Sequence, residues 1–178
     1  MPQRYIDTTL FDLFKVGPGP SSSHTIGPMK AGHHFAETCA ALPRDLLVRA
    51  VRFRVRLYGS LSATGTGHGT DAAVVAGLLG TAPESCPAGL LQELMDDPHT
   101  RRKRSLGDGQ VSVCVDDVSH DAIIHDFPYS NTLVADLLDA EDKVLHSQEY
   151  YSVGGGFIQW KGWEPPSLGK PVHRYSNM

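Results

Sequence analysis

Residues 51–58, VRFRVRLY, alternate without a break: Val51, Phe53, Val55 and Leu57 are apolar, and Arg52, Arg54, Arg56 and Tyr58 stand between them. A period of two makes this a β-strand with one face in a core and the other solvated or paired. The loop GSLSATGTGHGT (59–70) follows at once, and DAAVVAGLLG (71–80) then reads as a short helix with Asp71 at or near its start. A strand feeding a helix through a glycine-rich loop leaves that loop as the place where backbone can approach a ligand closely.

The rest of the chain adds elements of both kinds. From 25 to about 42, Met29, Gly32, Ala36, Cys39 and Ala40 recur at helical steps, with Ser23 or His24 at the N-cap and Pro43 as a stop. A second short helix is expected over 88–95, after Pro87, and QVSVCVD (110–116) alternates as a strand. Residues 132–153 admit two readings: Leu133, Leu137, Leu138 and Val144 would suit a helix, but two strands around a turn at 139–142 are preferred, because strand-like Tyr150 and Tyr151 precede the break at Gly154, Gly155 and Gly156. The charged stretch 96–109, with its RRKR run, reads as a solvated connection. An apolar patch at Leu10, Phe11, Leu13, Phe14 and Val16 suits a short helix or strand packed on the core. From Phe157 onward the chain has no periodicity and looks like an extended arm. Strands and helices in this mixture predict an α+β domain over 1–158, a mostly antiparallel sheet with helices packed on one face, followed by a tail or linker at 159–178.

Composition limits the partners. At 178 residues the chain holds one domain plus a tail, and 16 basic against 20 acidic residues leave a net charge of −4. No global field favours nucleic acid or an anionic membrane, so an anion must be bound locally. The N-terminal residues lack the apolar h-region of a secretory signal, and no run reaches the ~20 apolar residues of a membrane span. Cys39, Cys86 and Cys114 form no C-x-x-C pair and fit a reducing compartment as small buried residues. The expected location is the cytoplasm, with no protein-only metal site.

Two loops have the residues for chemistry. Ser21, Ser22, Ser23, His24 and Thr25 stand where a turn enters a helix, whose start exposes backbone N–H groups and partial positive charge to a carboxylate or phosphate. The same residues also suit a plain serine-rich capping turn. In the second loop, Gly65, Gly67 and Gly69 surround His68, which a core-packing role does not explain, and histidine accepts protons near neutral pH. The spacing is not a nucleotide fingerprint, since Thr70 stands where G-x-G-x-x-G needs its last glycine and no Gly-Lys-Ser/Thr occurs. A third stretch, 125–132, brings His125 and Asn131 into one turn, and an ordinary β-turn accounts for it equally well.

The segments FDLFKVGPGPSSSHTIGPMKAG, LYGSLSATGTGHGTDAAVVAGLLG and YYSVGGGF, in this order, closely resemble the N-terminal β domain of bacterial iron–sulfur L-serine dehydratases, over about residues 5–158. The resemblance implies an L-serine ammonia-lyase, which removes water and then ammonia from L-serine to give pyruvate. It also implies a [4Fe-4S] cluster whose cysteine ligands belong to a separate α domain or subunit. A four-iron cluster takes about four ligands, and three scattered cysteines do not supply them. The chain is therefore expected to lack the metal centre, to be inactive alone, and to work as a homo- or hetero-oligomer with an α partner. The wording GPMKAG is closer to the single-chain form of the enzyme, and Thr66 stands where relatives often carry lysine.

In such an enzyme the substrate carboxylate would lie against Ser21, Ser22, Ser23, His24 and Thr25. His68 would take the α-proton, with His125 as the alternative base or its hydrogen-bonding partner, and Thr70, Asp71 and Asn131 would orient the loops. The chain is also similar to the serine-sensing regulatory domain of some phosphoglycerate dehydrogenases. An amino-acid sensor and a non-catalytic assembly subunit are thus the other functions to weigh.

Overall fold

The computed structural model describes residues 17–164. The apolar patch at 10–16 and residues 165–178 of the expected tail lie outside them. In chain order the elements are a wide π-type turn at Ser22–Ile26, α1 (Gly27–Ala40), α2 (Arg44–Leu47), β1 (Arg52–Gly59), α3 (Ser60–Thr64), a 3-10 turn at Thr66–His68 and α4 (Thr70–Leu78). After a 3-10 turn at Pro83–Ser85 come α5 (Leu90–Asp96), β2 (Arg102–Leu106), β3 (Gly109–Val113), a 3-10 turn at Val115–Asp117, β4 (Val118–His120), β5 (Asn131–Leu138), β6 (Val144–Ser152) and β7 (Ile158–Trp160).

The strands form one seven-stranded sheet in the order β2-β3-β1-β5-β6-β7, with β4 also paired to β1. The β1–β5, β2–β3, β5–β6 and β6–β7 pairs are antiparallel, whereas β1 runs parallel to β3 and β4. The chain is an α+β domain with a mostly antiparallel sheet. On the inner face Phe53, Val55 and Leu57 of β1 are fully buried with Leu133, Ala135 and Leu137 of β5, because the register sets them opposite one another. Phe35 of α1 packs edge-on to Phe53 at 5.8 Å.

All nine residues of α4 are buried, as expected of a helix that is apolar on every side. It crosses α1 at backbone contact: a Cβ at Gly77 would lie 2.1 Å from the Met29 carbonyl oxygen. Only a residue without a side chain permits this approach, which sets the last turn of α4 against the first turn of α1. No helix among the described residues is long and apolar enough to cross a membrane.

The outer face of β1 is paired. Asp136, 1% exposed, accepts from Arg54 at 2.7 Å, Arg56 at 3.1 Å and Ser147 at 2.7 Å. The register that aligns Arg54 with Asp136 buries the carboxylate beneath the guanidinium groups.

Four sequence expectations need correction. The RRKR stretch is not a loop, since residues 102–106 form edge strand β2. Its flanking and inward arginines have partners, Arg101 on Asp117 at 2.9 Å, Arg102 on Glu93 at 2.9 Å and Arg104 on the Leu78 carbonyl at 3.0 Å. Charge is compatible with an edge strand, where it also deters pairing with other chains. The loop at 59–70 contains a helical turn, α3, anchored by fully buried Leu61. The N-cap of the first helical turn is Ser21, upstream of Ser23 and His24. The expected arm beyond 158 starts within the sheet as β7, where Trp160 stacks on His34 at 4.3 Å.

Candidate functional site

The three motif-bearing segments meet at the C-terminal end of β1, joined by hydroxyl-to-carbonyl bonds. Thr25 donates to the His68 carbonyl at 3.0 Å, and Thr70 donates to the His24 carbonyl at 2.6 Å. Both threonines are fully buried, so the serine turn and the glycine loop are stapled to each other through the backbones of their two histidines. Ser152, from the strand leading into the triple glycine, donates to the Ser23 carbonyl at 2.7 Å. Thr25, expected among the carboxylate-holding hydroxyls, thus uses its proton to join the loops.

Within the serine turn, Ser21 Oγ accepts the His24 N–H at 3.3 Å and lies 3.4 Å from Ser23 Oγ. Ser23 Oγ is 2.9 Å from His24 Nδ1, and Ser60 Oγ is 3.1 Å from His24 Nε2. Hydroxyls can donate or accept, so this chain is satisfied by a neutral imidazole. Burial, and then the nearby His68, push the His24 pKa below the ordinary value, against a weaker upward pull at Ser60.

His68 lies 5.0 Å from His24, ring centre to ring centre. Its Nδ1 is 2.8 Å from the Thr64 carbonyl. A carbonyl only accepts, so the proton of neutral His68 belongs on Nδ1, and Nε2 keeps its lone pair. The ring is held at the end of a 3-10 turn by Gly69, whose φ of +66° ends that turn and opens α4 in a left-handed conformation that side chains disfavour. A groove of about 580 Å³ runs beside it, lined by residues 17–20 and 67–69 on one side and by Pro83, Pro87, Leu91 and Met95 on the other.

Asp71, at the start of α4, reaches His120 at the end of β4. His120 Nε2 is 3.2 Å from Asp71 Oδ2, and its Nδ1 is 3.0 Å from the Ser62 carbonyl. Burial lowers the His120 pKa, but the Ser62 carbonyl and the Asp71 carboxylate outweigh it and hold it above the ordinary histidine value.

His125 and Asn131 lie at Gly59, next to the Ser60 that meets His24: a Cβ at Gly59 would sit 2.6 Å from His125 Nε2. Asn131 faces Gly59 across the β1–β5 ladder, and its buried Oδ1 has no hydrogen-bond partner. His125 packs among Tyr58 and Phe127, with its Nδ1 accepting the Phe127 N–H at 3.1 Å. Neutral His125 therefore carries its proton on Nε2, the reverse of His68.

Ser60 and His120 were not singled out from the sequence. Ser60 directly follows strand β1 in the same loop as His68, a position that could have flagged it. His120 reaches the site through a parallel pairing of β4 with β1, for which the sequence holds no local signal.

The residues present do not fit a [4Fe-4S] cluster. Cys39, on α1, and Cys114, before the 3-10 turn at Val115–Asp117, are buried, and burial pushes the Cys39 thiol up to about 12 against a weaker pull from Arg104. Cys86, expected to be buried, is only partly so. Among the described residues no three His, Cys, Asp or Glu side chains are placed to hold a metal ion.

Residues 9–163 match the family model of the serine dehydratase beta chain. The chain is 41% identical over 156 residues to L-serine dehydratase 2 of Escherichia coli (strain K12), a match covering 84% of this chain and 33% of that protein. It is 40% identical over 155 residues to an L-serine dehydratase of Streptomyces coelicolor, with the same coverage of each chain. An L-serine dehydratase of Helicobacter pylori (strain 26695) is 35% identical over 153 residues, covering 84% of this chain and 32% of that protein. The chain thus spans about a third of the length of the curated relatives it matches. With both loops and the Ser152 strand inside the matched region, the chain belongs to the serine dehydratase beta chain family.

Proposed function

We propose that this chain is the part of an L-serine ammonia-lyase that binds the substrate carboxylate and accepts its α-proton. Its partner is an α domain or subunit that holds a [4Fe-4S] cluster. The observation that carries this reading is the stapling of the serine turn to the glycine loop, which brings the His68 ring, its Nδ1 against the Thr64 carbonyl, within 5.0 Å of His24 at a hydroxyl-rich helix start.

In this role the Ser21, Ser22 and Ser23 hydroxyls and the helix start face the carboxylate, whose negative charge grows in the transition state as the α-proton leaves. His68 Nε2 takes that proton. The neighbouring His24 stays neutral because it is partly buried, so it does not repel the imidazolium that forms. His125 is the weaker candidate, since its Nδ1 lone pair is already used by the Phe127 N–H. Thr70 and Asp71 hold the loop in place, and Asn131 lies at the end of β1 that leads into it.

L-serine titrated into the 178-residue chain tests the binding half. Calorimetry is expected to show saturable heat that D-serine does not reproduce, with Ser23→Ala weakening binding by about tenfold, the size of one lost hydrogen bond to a charged group. Equal heats for the two enantiomers, or an unchanged affinity in Ser23→Ala, would exclude the serine turn as the carboxylate site. Normal turnover by an assembled enzyme in which Ser23→Ala has abolished binding would instead favour the regulatory-module reading.

A further inference from the structure

We propose that His120 is a positioning residue: as a doubly protonated imidazolium it clamps both roots of the loop that carries His68. Its Nδ1 faces a carbonyl and its Nε2 a carboxylate, neither with a proton to give, and the Thr66 hydroxyl lies farther from Nε2, at 3.4 Å. Nδ1 is 3.0 Å from the Ser62 carbonyl, and Nε2 is 3.2 Å from Asp71 Oδ2 along a hydrogen-bond line. Asp71 Oδ1 is nearer, at 3.0 Å, but off that line. A neutral imidazole has one N–H and cannot serve both acceptors, whereas the cation serves both.

The two acceptors sit at the two ends of the same loop. Ser62 belongs to α3 and Asp71 to the first turn of α4, and residues 65–69 run between them. His120 itself is fixed on β4 in register with Leu57 of β1, so the sheet is the rigid support. Ser62 is tied to the same strand end a second time, its hydroxyl donating to the Asp121 carbonyl at 2.7 Å. Between these anchors, Thr66 Oγ1 comes within 3.4 Å of His120 Nε2. Thr64, one turn from Ser60, then presents the carbonyl that fixes the His68 tautomer.

Asp71 from α4 is the charged group that faces the His120 ring, with the Ser62 carbonyl from α3 and the Thr66 hydroxyl beside it. The adjacent Asp121 carboxylate is turned to the Ser119 hydroxyl at 2.8 Å. Asp71 is 6% exposed, so neutralising it removes the partner that favours the cation. The site then sets its histidines apart: His120 held as the cation between two acceptors, His24 pushed below the ordinary pKa by burial, and His68 with its Nδ1 on the Thr64 carbonyl. As a contribution to catalysis this rests on the reading of His68 as proton acceptor.

The test is nitrogen-15 NMR of the histidine rings in the 178-residue chain from pH 5.5 to 8.5, for the unaltered chain, Asp71→Asn and His120→Gln. In the unaltered chain His120 is expected to carry protons on both nitrogens at pH 7, while neutral His68 carries its proton on Nδ1. Asp71→Asn is expected to lower the His120 midpoint by about one unit, the scale set by one lost carboxylate neighbour. It is also expected to speed amide exchange at residues 67–69 roughly tenfold and to admit the Nε2–H tautomer of His68. His120→Gln is expected to reproduce the last two effects. The titration of the unaltered chain depends on no variant's folding, and a singly protonated His120 at pH 7 would overturn the clamp. So would an unchanged His68 tautomer and unchanged amide exchange in a folded Asp71→Asn protein. None of these signals involves turnover, so a failed clamp is distinguishable from a failed base, which shows in pyruvate formation alone.

Discussion

His68 donates through Nδ1 to a carbonyl, and His125 accepts at Nδ1 from an amide, so two histidines of one chain expose opposite faces of imidazole chemistry. His68 was legible because glycines on both sides of a histidine leave it no core to pack in. The difference in tautomer was not, since it depends on which backbone group each ring meets. A further histidine shows how burial acts. His146 stacks on Phe35 at 5.7 Å, its Nε2 is buried without a partner, and burial lowers its pKa. The unfolded chain then binds this proton more readily than the folded one, so the stability it confers is present above about pH 6.5 and is lost as pH falls through the lower folded value. His146→Phe is expected to retain stability on acidification. Its melting temperature relative to the unaltered chain should climb as pH is taken from 7 to 5.5, and a constant difference over that range would contradict the assignment.

Among the elements, β1, α1 and β3 were readable from periodicity, because each buries one face against a neighbour, whereas the apolar spacing of the β5–β6 hairpin also suited a helix and Tyr150 and Tyr151 ahead of the triple glycine favoured strands. β2 and α3 were not readable. The arginines of β2 conceal an alternation that becomes clear only when Glu93 and the Leu78 carbonyl are seen to receive the inward ones. α3 is five residues long with one buried anchor, too short for a helical period. The Thr25 and Thr70 bonds set the serine turn beside the glycine loop, and Gly77 lets α4 pass α1 at backbone contact. Gly77→Ala is expected to destabilise the fold by about 1–3 kcal/mol, as for an overpacked core. Urea denaturation would read this as a lower midpoint with an unchanged slope. A neutral substitution would mean that the helices separate without cost.

Across the whole molecule, class and sheet type followed from the mixture of patterns, but the parallel partners of β1 did not, because pairing between distant strands leaves no local trace. Those partners matter: β4 brings His120 to the glycine loop, and β5 brings Asp136 beneath the outer arginines. Asp136→Asn keeps the shape while leaving two guanidinium groups without their carboxylate. It is expected to cost about 1–3 kcal/mol, with the Arg54 and Arg56 side chains each 34% exposed and so partly compensated by water. A thermal midpoint equal to that of the unaltered chain would show that the pairing adds nothing.

The proposed function is tested in an enzyme assembled from this chain and the cluster-bearing α partner that the proposal names. Pyruvate formation from L-serine is compared there for His68→Ala and His125→Ala. Loss of a general base lowers turnover by about 10²–10⁴-fold. His68→Ala is expected to fall in that range with substrate binding retained, while His125→Ala keeps turnover within about tenfold of the unaltered enzyme, below the lower bound for a lost base. Near-normal turnover by His68→Ala, or the larger loss in His125→Ala, would contradict the assignment of the proton to His68.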